Sequence, residues 1–459
     1  MLLILFNSPN SRSEAADPLS SIMFLIVMDY IFEHLPQNFS FSSNDFNCGI
    51  LAYADDVRLF ANNPKDLQNT LDVFCSILLK VGLSLNILKC RSLSWLTNKK
   101  LKTSAYHKDM SFYVNDQPVK SLDIDEVFEY LGVPFTPDGR VFGTAPFIKE
   151  KLNLLKKSML KPQQKLYLLK NMLLPCSFHR LVLGRLHIGH LKKIDSEIRA
   201  FIPGVLHMPH DFPNAAFYAS AVDGGLGIPC MRWSIPRIAR KRLGDLSERT
   251  KSFLMNNNRL IENTEQQRKM FRSVLIRMVD CVGLRGAKEV SSANKWVSDG
   301  TASLSRKDFI KSIHLRYNCL YSRSRAGRGR NEKDRTCQRC NNGPDTLNHI
   351  LQVCPSTHLW RIKRHDSVKN YLIRSLSQKG FSVHKEPRFN TSSGLYKPGI
   401  VVYSQNRIIV IDVQVVNDQN SLSHAHELKS NKYKIPLTPL LAGLRPAGVL
   451  FTSLTANWR

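Results

Sequence analysis

Residues 52–56 read Ala-Tyr-Ala-Asp-Asp, with Ile50 and Leu51 before them and Val57, Leu59 and Phe60 after. Two adjacent carboxylates are costly to bury, so a strand pair would carry Asp55 and Asp56 at its turn. There their hard oxygens can hold Mg²⁺, as nucleotidyl transfer requires. Taken alone, an Asp-Asp pair is more often a solvated turn. A second group is Cys337, Cys340, His349 and Cys354, spaced Cys-x2-Cys-x8-His-x4-Cys. Three thiolates and an imidazole at this spacing predict a closed, structural Zn²⁺ site, with Asn341 to Pro344 supplying the turn after the first pair. A third is Asp412, in the otherwise mostly apolar run Arg407 to Val416, followed 17 residues later by Lys429 and then by Lys432 and Tyr433. An ionised Asp in a buried strand needs a metal or a cation. On spacing alone, a strand-end Asp with surface lysines is the simpler reading.

The elements that must position these groups are legible in part. Residues 19–35 predict a nearly all-round apolar helix, the kind found inside a domain. A strand pair over 48–61 follows. Pro64 then opens an amphipathic helix with Leu67, Leu71, Phe74 and Leu78 on one stripe and Gly82 just past its end. A strand near 91–96 continues the α/β alternation. Residues 145–255 are Lys- and Leu-rich with helical periodicity, interrupted by Gly224-Gly225-Leu226-Gly227. With no clear strand before it and no Gly-Lys-Ser or Gly-Lys-Thr after it, that segment reads as a backbone turn rather than a phosphate loop. Residues 256–320 read as helical and polar. Arg323, Arg325, Arg328 and Arg330 sit among Ser and Gly, which predicts a flexible basic linker suited to phosphate contacts. Strands are expected near 381–389 and 400–415, then a helix carrying Lys429.

Composition narrows the function class. Sixty-five Lys and Arg against 37 Asp and Glu give a net charge of +28 over 459 residues, a balance that favours a polyanionic partner. The basic residues spread along the chain, which fits a nucleic acid better than a membrane. Seven of the ten cysteines are scattered singly, as free thiols in a reducing compartment would be. The apolar run Ile22 to Met28 stops at Asp29, short of a membrane span, and the N-terminal Leu2 to Phe6 run is short for a signal segment. A soluble, intracellular protein is expected.

The order of motifs carries a resemblance. Asp17-Pro18-Leu19-Ser20, Ala-Tyr-Ala-Asp-Asp, Gly82-Leu83-Ser84-Leu85-Asn86 with Lys89, and Tyr130-Leu131-Gly132-Val133 resemble consecutive palm motifs of a reverse transcriptase. With the Cys-Cys-His-Cys knuckle and a strand Asp plus downstream Lys, as in restriction-like nucleases, the chain resembles the C-terminal part of the polyprotein of R-two-type non-LTR retrotransposons. The resemblance implies an α/β and α multidomain protein. Its parts would be a partial palm (1–144), a helical thumb (145–255), a helical region with basic linker (256–335), a zinc knuckle (336–358) and a restriction-like endonuclease domain (359–459). It implies RNA-directed DNA polymerisation primed from nicked target DNA, element RNA and target DNA as partners, and a nuclear location. Asp55 and Asp56 would bind polymerase Mg²⁺ and Lys89 would lie near the incoming phosphates. Asp412 would bind nuclease Mg²⁺ with Lys429, and Lys432 would support it.

Departures accompany the match. Ala15-Ala16 replaces a Gln-Gly pair, and Pro398-Gly399 stands where the nuclease pattern has Pro-Asp. The palm strand expected upstream of Asp17 finds no room, so both sites read as incomplete, with Glu386 and Glu427 only weak substitutes for the lost carboxylate. The expectation is a 5′-truncated chain unable to polymerise alone, the alternative being a non-catalytic nucleic-acid-binding remnant.

Overall fold

The computed structural model describes residues 2–3, 18–36, 40–43, 46–98, 103–139, 144–183, 188–244, 264–298, 304–330, 334–404, 407–417, 420–443 and 448–457. Asp17 and the Ala15-Ala16 pair lie outside them. The chain forms two compact units, residues 1–146 with 179–186, and residues 147–178 with 187–459.

The first unit is built on a sheet fed by β1 (Leu2–Leu3), α1 (Pro18–Glu33), β2 (Ile50–Tyr53), β3 (Asp56–Leu59), α2 (Pro64–Lys80) and β4 (Arg91–Ser92). The strand order is β2-β3-β1-β4, extended by β6 (Gln117–Ser121) and β5 (Phe112–Val114). β1 is antiparallel to both neighbours, with Leu2 opposite Leu59 and Ser92. This corrects the expectation that no room remained for a strand before residue 17: Leu2 and Leu3 take that slot.

Helix α2 forms as its sequence predicts. The Asn63 side chain caps it by accepting from the Asp66 amide, Pro64 occupies its first turn, and Leu67, Leu71, Phe74 and Leu78 are buried. Each contributes about 1.5–3 kcal/mol through burial. Helix α1 departs from expectation. Met28 and Ile31 join Leu71, Phe74, Val57 and Leu59 in one core, whereas Leu19, Ile22, Met23, Leu25, Ile26 and Tyr30 are exposed. An apolar composition all round thus covers a helix buried on one side. The strand expected over 91–96 is broken, because Trp95–Asn98 leaves the sheet to pair with Thr103–Tyr106. Tyr130-Leu131-Gly132-Val133 forms a hairpin of β7 (Phe128–Tyr130) and β8 (Val133–Phe135). Leu131 and Gly132 both have positive φ, the conformation a tight two-residue hairpin turn demands. Arg180 of this unit donates to the Gly132 carbonyl at 2.7 Å.

The second unit opens with helices. The longest of its early ones, α3 (Ile188–Leu206), places Asp195 under the start of α4 (Met231–Gly244). The Asp195 carboxylate accepts from the amides of Met231 at 2.7 Å and Arg232 at 3.1 Å. It thereby caps α4, and burial raises its pKa. The Gly224 segment is a packed turn. Its Gly225 and Gly227 amides donate to the Ser220 and Ala219 carbonyls, so they are engaged within the fold. A Cβ on Gly225 would fall 2.1 Å from the Ala219 oxygen, and only glycine fits.

The C-terminal part of this unit runs α8 (His358–Gln378), β9 (Ser382–Lys385), β10 (Ile400–Tyr403), β11 (Arg407–Val416), α9 (Leu422–Ala442) and β12 (Gly448–Asn457), with α5 (Thr264–Arg277), α6 (Arg306–Arg316) and α7 (Arg323–Ala326) upstream. The sheet order is β9-β10-β11-β12; the first three strands are antiparallel and β12 is parallel to β11. Tyr433, Leu437 and Leu441 of α9 pack on Val401, Ile408 and Val410.

Candidate functional site

The tip of the β2–β3 hairpin is Ala54-Asp55, with Tyr53 opposite Asp56. Ala54 adopts φ 51°, a left-handed conformation unusual for a residue with a Cβ. Asp55 and Asp56 are partly buried, as the sequence predicts for a turn at a sheet end. Burial and then the neighbouring Asp55 charge raise the Asp56 pKa, with Arg58 opposing them. A cation at this tip would relieve the repulsion between the carboxylates. Among the described residues no third acid, Cys or His joins the pair. Lys89 is exposed in the turn leading into β4, two strands away from β3.

Sequence reasoning passed over Arg58. It lies two residues after Asp56, hence on the same face of β3, and is 4% exposed. Its guanidinium carbon stands 3.4 Å from the ring centroid of Tyr130 and 5.5 Å from that of Phe128. Burial pushes its pKa down to about 10. The Arg58 side chain thus ties the Asp-Asp strand to the Tyr-Leu-Gly hairpin. The alternation of the strand, Asp56 and Arg58 with apolar Val57 and Leu59 between, is the signal that could have found it.

The arginine segment is ordered, which corrects the expected flexible linker. Ser322 caps the short helix α7 by accepting from the Arg325 amide. Asp280, 5% exposed, receives Arg325 Nη1 at 2.6 Å and both terminal nitrogens of Arg328 at 2.6 and 2.7 Å. Burial alone would raise the Asp280 pKa; the Arg328 and Arg325 charges outweigh it and hold the carboxyl below its usual range. Arg325 also reaches Asp211 at 2.7 Å, and Arg323 pairs with Asp334 at 3.2 Å. Arg330 is exposed. The physical reason is that a buried carboxylate must be paired, and the nearest cations are supplied from 45 and 48 residues downstream.

Cys337, Cys340, His349 and Cys354 converge, with one ligand atom from each lying within 4.8 Å of all the others. The Cys340 sulfur and His349 Nε2 are 3.3 Å apart. The first pair sits in a turn where the Asn341 amide donates to Cys337 O and the Cys337 amide to Gly343 O. The second pair is set by a π turn, His349–Val353, closed by the Cys354 amide on His349 O at 2.8 Å. That i→i+5 bond is what brings a His-x4-Cys pair onto one side. The donors and their closeness fit a four-coordinate metal site.

On β11, Asp412 is buried and forms an ion pair with Lys429 Nζ at 3.0 Å. Lys429 precedes Tyr433, Leu437 and Leu441 at intervals of four, so it shares their sheet-facing stripe. Gln414 fixes the helix start, donating to Ala425 O and to Thr455 Oγ1, each at 2.7 Å. Lys432 is exposed and stacks over the Tyr433 ring at 5.2 Å, away from that stripe. Burial and Asp412 push the Tyr433 phenol upward. Gly399 lies against Asp412. Glu386 bonds through its amide to Gly399 O, while its carboxylate is held by Lys369 and, at 2.8 Å, by Lys397. Those two ammonium groups, Lys369 first, lower its pKa to about 2. Glu427 is exposed on α9.

Residues 17–135 match the family described as reverse transcriptase (RNA-dependent DNA polymerase). A Pol polyprotein of the type-2 retrotransposable element R2DM of Drosophila melanogaster is 37% identical over 98% of this chain and 45% of its own length. An R2 Pol polyprotein of Nasonia vitripennis is 31% identical, covering 91% of this chain and 42% of its own. One from Popillia japonica is 30% identical over 83% of both chains. The chain therefore spans less than half the length of the first two relatives.

Proposed function

Given that this chain belongs to the family of R2 retrotransposon Pol polyproteins, we propose that it forms part of an RNA-directed DNA polymerase and endonuclease that acts by target-primed reverse transcription. The observation that carries the reading is the Asp55-Asp56 turn at the end of β2 and β3 in a βαββαβ sheet. The pair offers hard oxygens side by side at the turn, where burial and then the Asp55 charge raise the Asp56 pKa. Mg²⁺ held there would neutralise charge on an incoming triphosphate. The chain's own residues orient that site: Ala54 sets the turn, and Arg58, stacked on Tyr130, holds the carboxylate strand to the hairpin beside it. The partners are element RNA and target DNA, which places the work in the nucleus. Among the described residues no helix is long and apolar enough to cross a membrane.

The Asp412–Lys429 pair supports a nuclease reading of the C-terminal sheet. Asp412 would hold a divalent cation, and the Lys429 ammonium beside it would steady charge on the attacked phosphate. The cysteine–histidine cluster is read as a structural Zn²⁺ knuckle, since Cys337, Cys340, His349 and Cys354 would hold the ion with three thiolates and an imidazole and leave no ligand position for substrate.

A second reading, nucleic-acid binding without catalysis by these residues alone, is favoured by specific observations. The Asp55-Asp56 pair lacks a third carboxylate among the described residues, and Gly399 supplies none beside Asp412. Purified chain should therefore bind an RNA–DNA hybrid and take up Mn²⁺ at the hairpin, seen by water-proton relaxation, without extending a primer. Retention of that Mn²⁺ signal by Asp55→Asn with Asp56→Asn would refute the metal assignment. Primer extension that the same substitutions abolish would refute the non-catalytic reading.

A further inference from the structure

Helix α8 turns a stripe of Trp360, Lys363, Tyr371 and Arg374 to solvent. Trp360 is 67% and Tyr371 73% exposed. At 3.6 residues per turn the four side chains fall within about 80° of arc, with Lys369 on the opposite side. Lys369 is buried, so the helix is anchored by the face away from the stripe. The Lys363 ammonium stands 4.8 Å from the Trp360 ring centroid, which steadies the indole against one of its faces. The helix contains one acid, Asp366, and it is engaged by Lys369 at 2.9 Å and His365 at 3.2 Å. The stripe is thus basic and aromatic.

The N-terminal part of the helix is also pinned to two neighbours. Arg361 donates to Cys354 O at 2.7 Å and Arg364 to Leu351 O at 3.1 Å, fixing it to the cysteine–histidine cluster. His365 Nε2 lies 3.0 Å from Val413 O, next to Asp412 on β11. A surface of alternating rings and cations, with no free acid, suits a polyanion that also offers flat apolar faces. Duplex hides those faces; an unpaired strand presents them.

We propose that the Trp360–Tyr371 stripe binds an unpaired segment of DNA or RNA. Two bases stack on the rings, about 16 Å apart along the helix, with the phosphate backbone meeting Lys363 between them and Arg374 just beyond Tyr371. The inference rests on α8 alone and stands whether or not either carboxylate site is active.

The test uses the full chain and fluorescence anisotropy with three labelled probes of about 15 units: oligo(dT), oligo(rU) and a blunt DNA duplex. Trp360→Ala with Tyr371→Ala should weaken single-strand binding by roughly 10- to 100-fold and duplex binding by less than about twofold. Trp360→Phe with Tyr371→Phe should restore most of the affinity, because a ring remains to stack. Both positions are exposed, and an unchanged thermal melt confirms the fold. A preference for either single strand supports the proposal and names the strand. Parent-like single-strand binding by the alanine variant overturns it. Equal loss on duplex and single strand also overturns it, since stacking would not then be involved. Loss of self-association in sedimentation, with nucleic-acid binding intact, overturns it in favour of a protein interface.

Discussion

At Gly399 a Cβ would stand 3.0 Å from Oδ1 of Asp412, with no left-handed backbone to forbid a side chain. One residue therefore decides how many carboxylates the C-terminal sheet can gather. Gly399→Asp should set a second carboxylate against Asp412, and without a cation the two like charges should destabilise the fold by about 1–2 kcal/mol. Millimolar Mg²⁺ or Mn²⁺ should reverse that loss in the variant and leave the parent melt nearly unmoved. A variant melt indifferent to the cation would show that the carboxylates do not converge. At this scale the sequence was a good guide where spacing met periodicity. Lys429 falls on the stripe of Tyr433, Leu437 and Leu441 and reaches Asp412; Lys432, three residues on, does not share it. Arg58 was missed because a strand arginine looks like surface until its stacking partner, Tyr130, is placed 72 positions away in the chain.

Among the elements, the cysteine–histidine cluster shows how local chemistry dictates geometry. Its four ligands lie within 18 residues, and each pair is closed by a backbone bond its own turn supplies. Such a site needs no distant partner and was legible. Helix α1 was not, because composition reports apolar residues and not which of them a neighbour covers. The arginine segment failed for the same reason: Ser and Gly neighbours suggested a mobile linker, while the deciding group, Asp280, lies far upstream. The cluster makes its own prediction. Because Arg361 and Thr357 tie α8 to Cys354 and Ile350, loss of metal should fray the first turns of that helix as well as the knuckle. Cys340→Ser, or a strong Zn²⁺ chelator on the parent, should lower the melting temperature by roughly 5–10 °C and reduce helical circular dichroism. A chelator that changes neither signal would mean that the thiols and imidazole pack without an ion.

Over the whole molecule, a net charge of +28 invites the idea that every arginine serves nucleic acid. The structure sorts them. Arg325, with 10% of its side chain exposed, is spent on Asp280 and Asp211, whereas Arg330 on the same segment faces solvent. The two should separate in a paired experiment. Arg325→Gln takes one of two guanidinium groups from the buried Asp280, leaving it Arg328 and the Asn318 side-chain amide, and should cost about 2–3 kcal/mol of stability. It should leave the slope of log binding constant against log salt unchanged, because no phosphate contact is lost. Arg330→Gln should do the reverse, keeping the melt of the parent while reducing the slope by about 0.9 if that residue meets one phosphate of a duplex. Thermal melting and anisotropy titrations over a salt series read both quantities on the same samples. A reduced slope for Arg325→Gln with an intact fold would mean that its ion pairs open to receive nucleic acid, and that internal and binding charge are not separate populations in this protein.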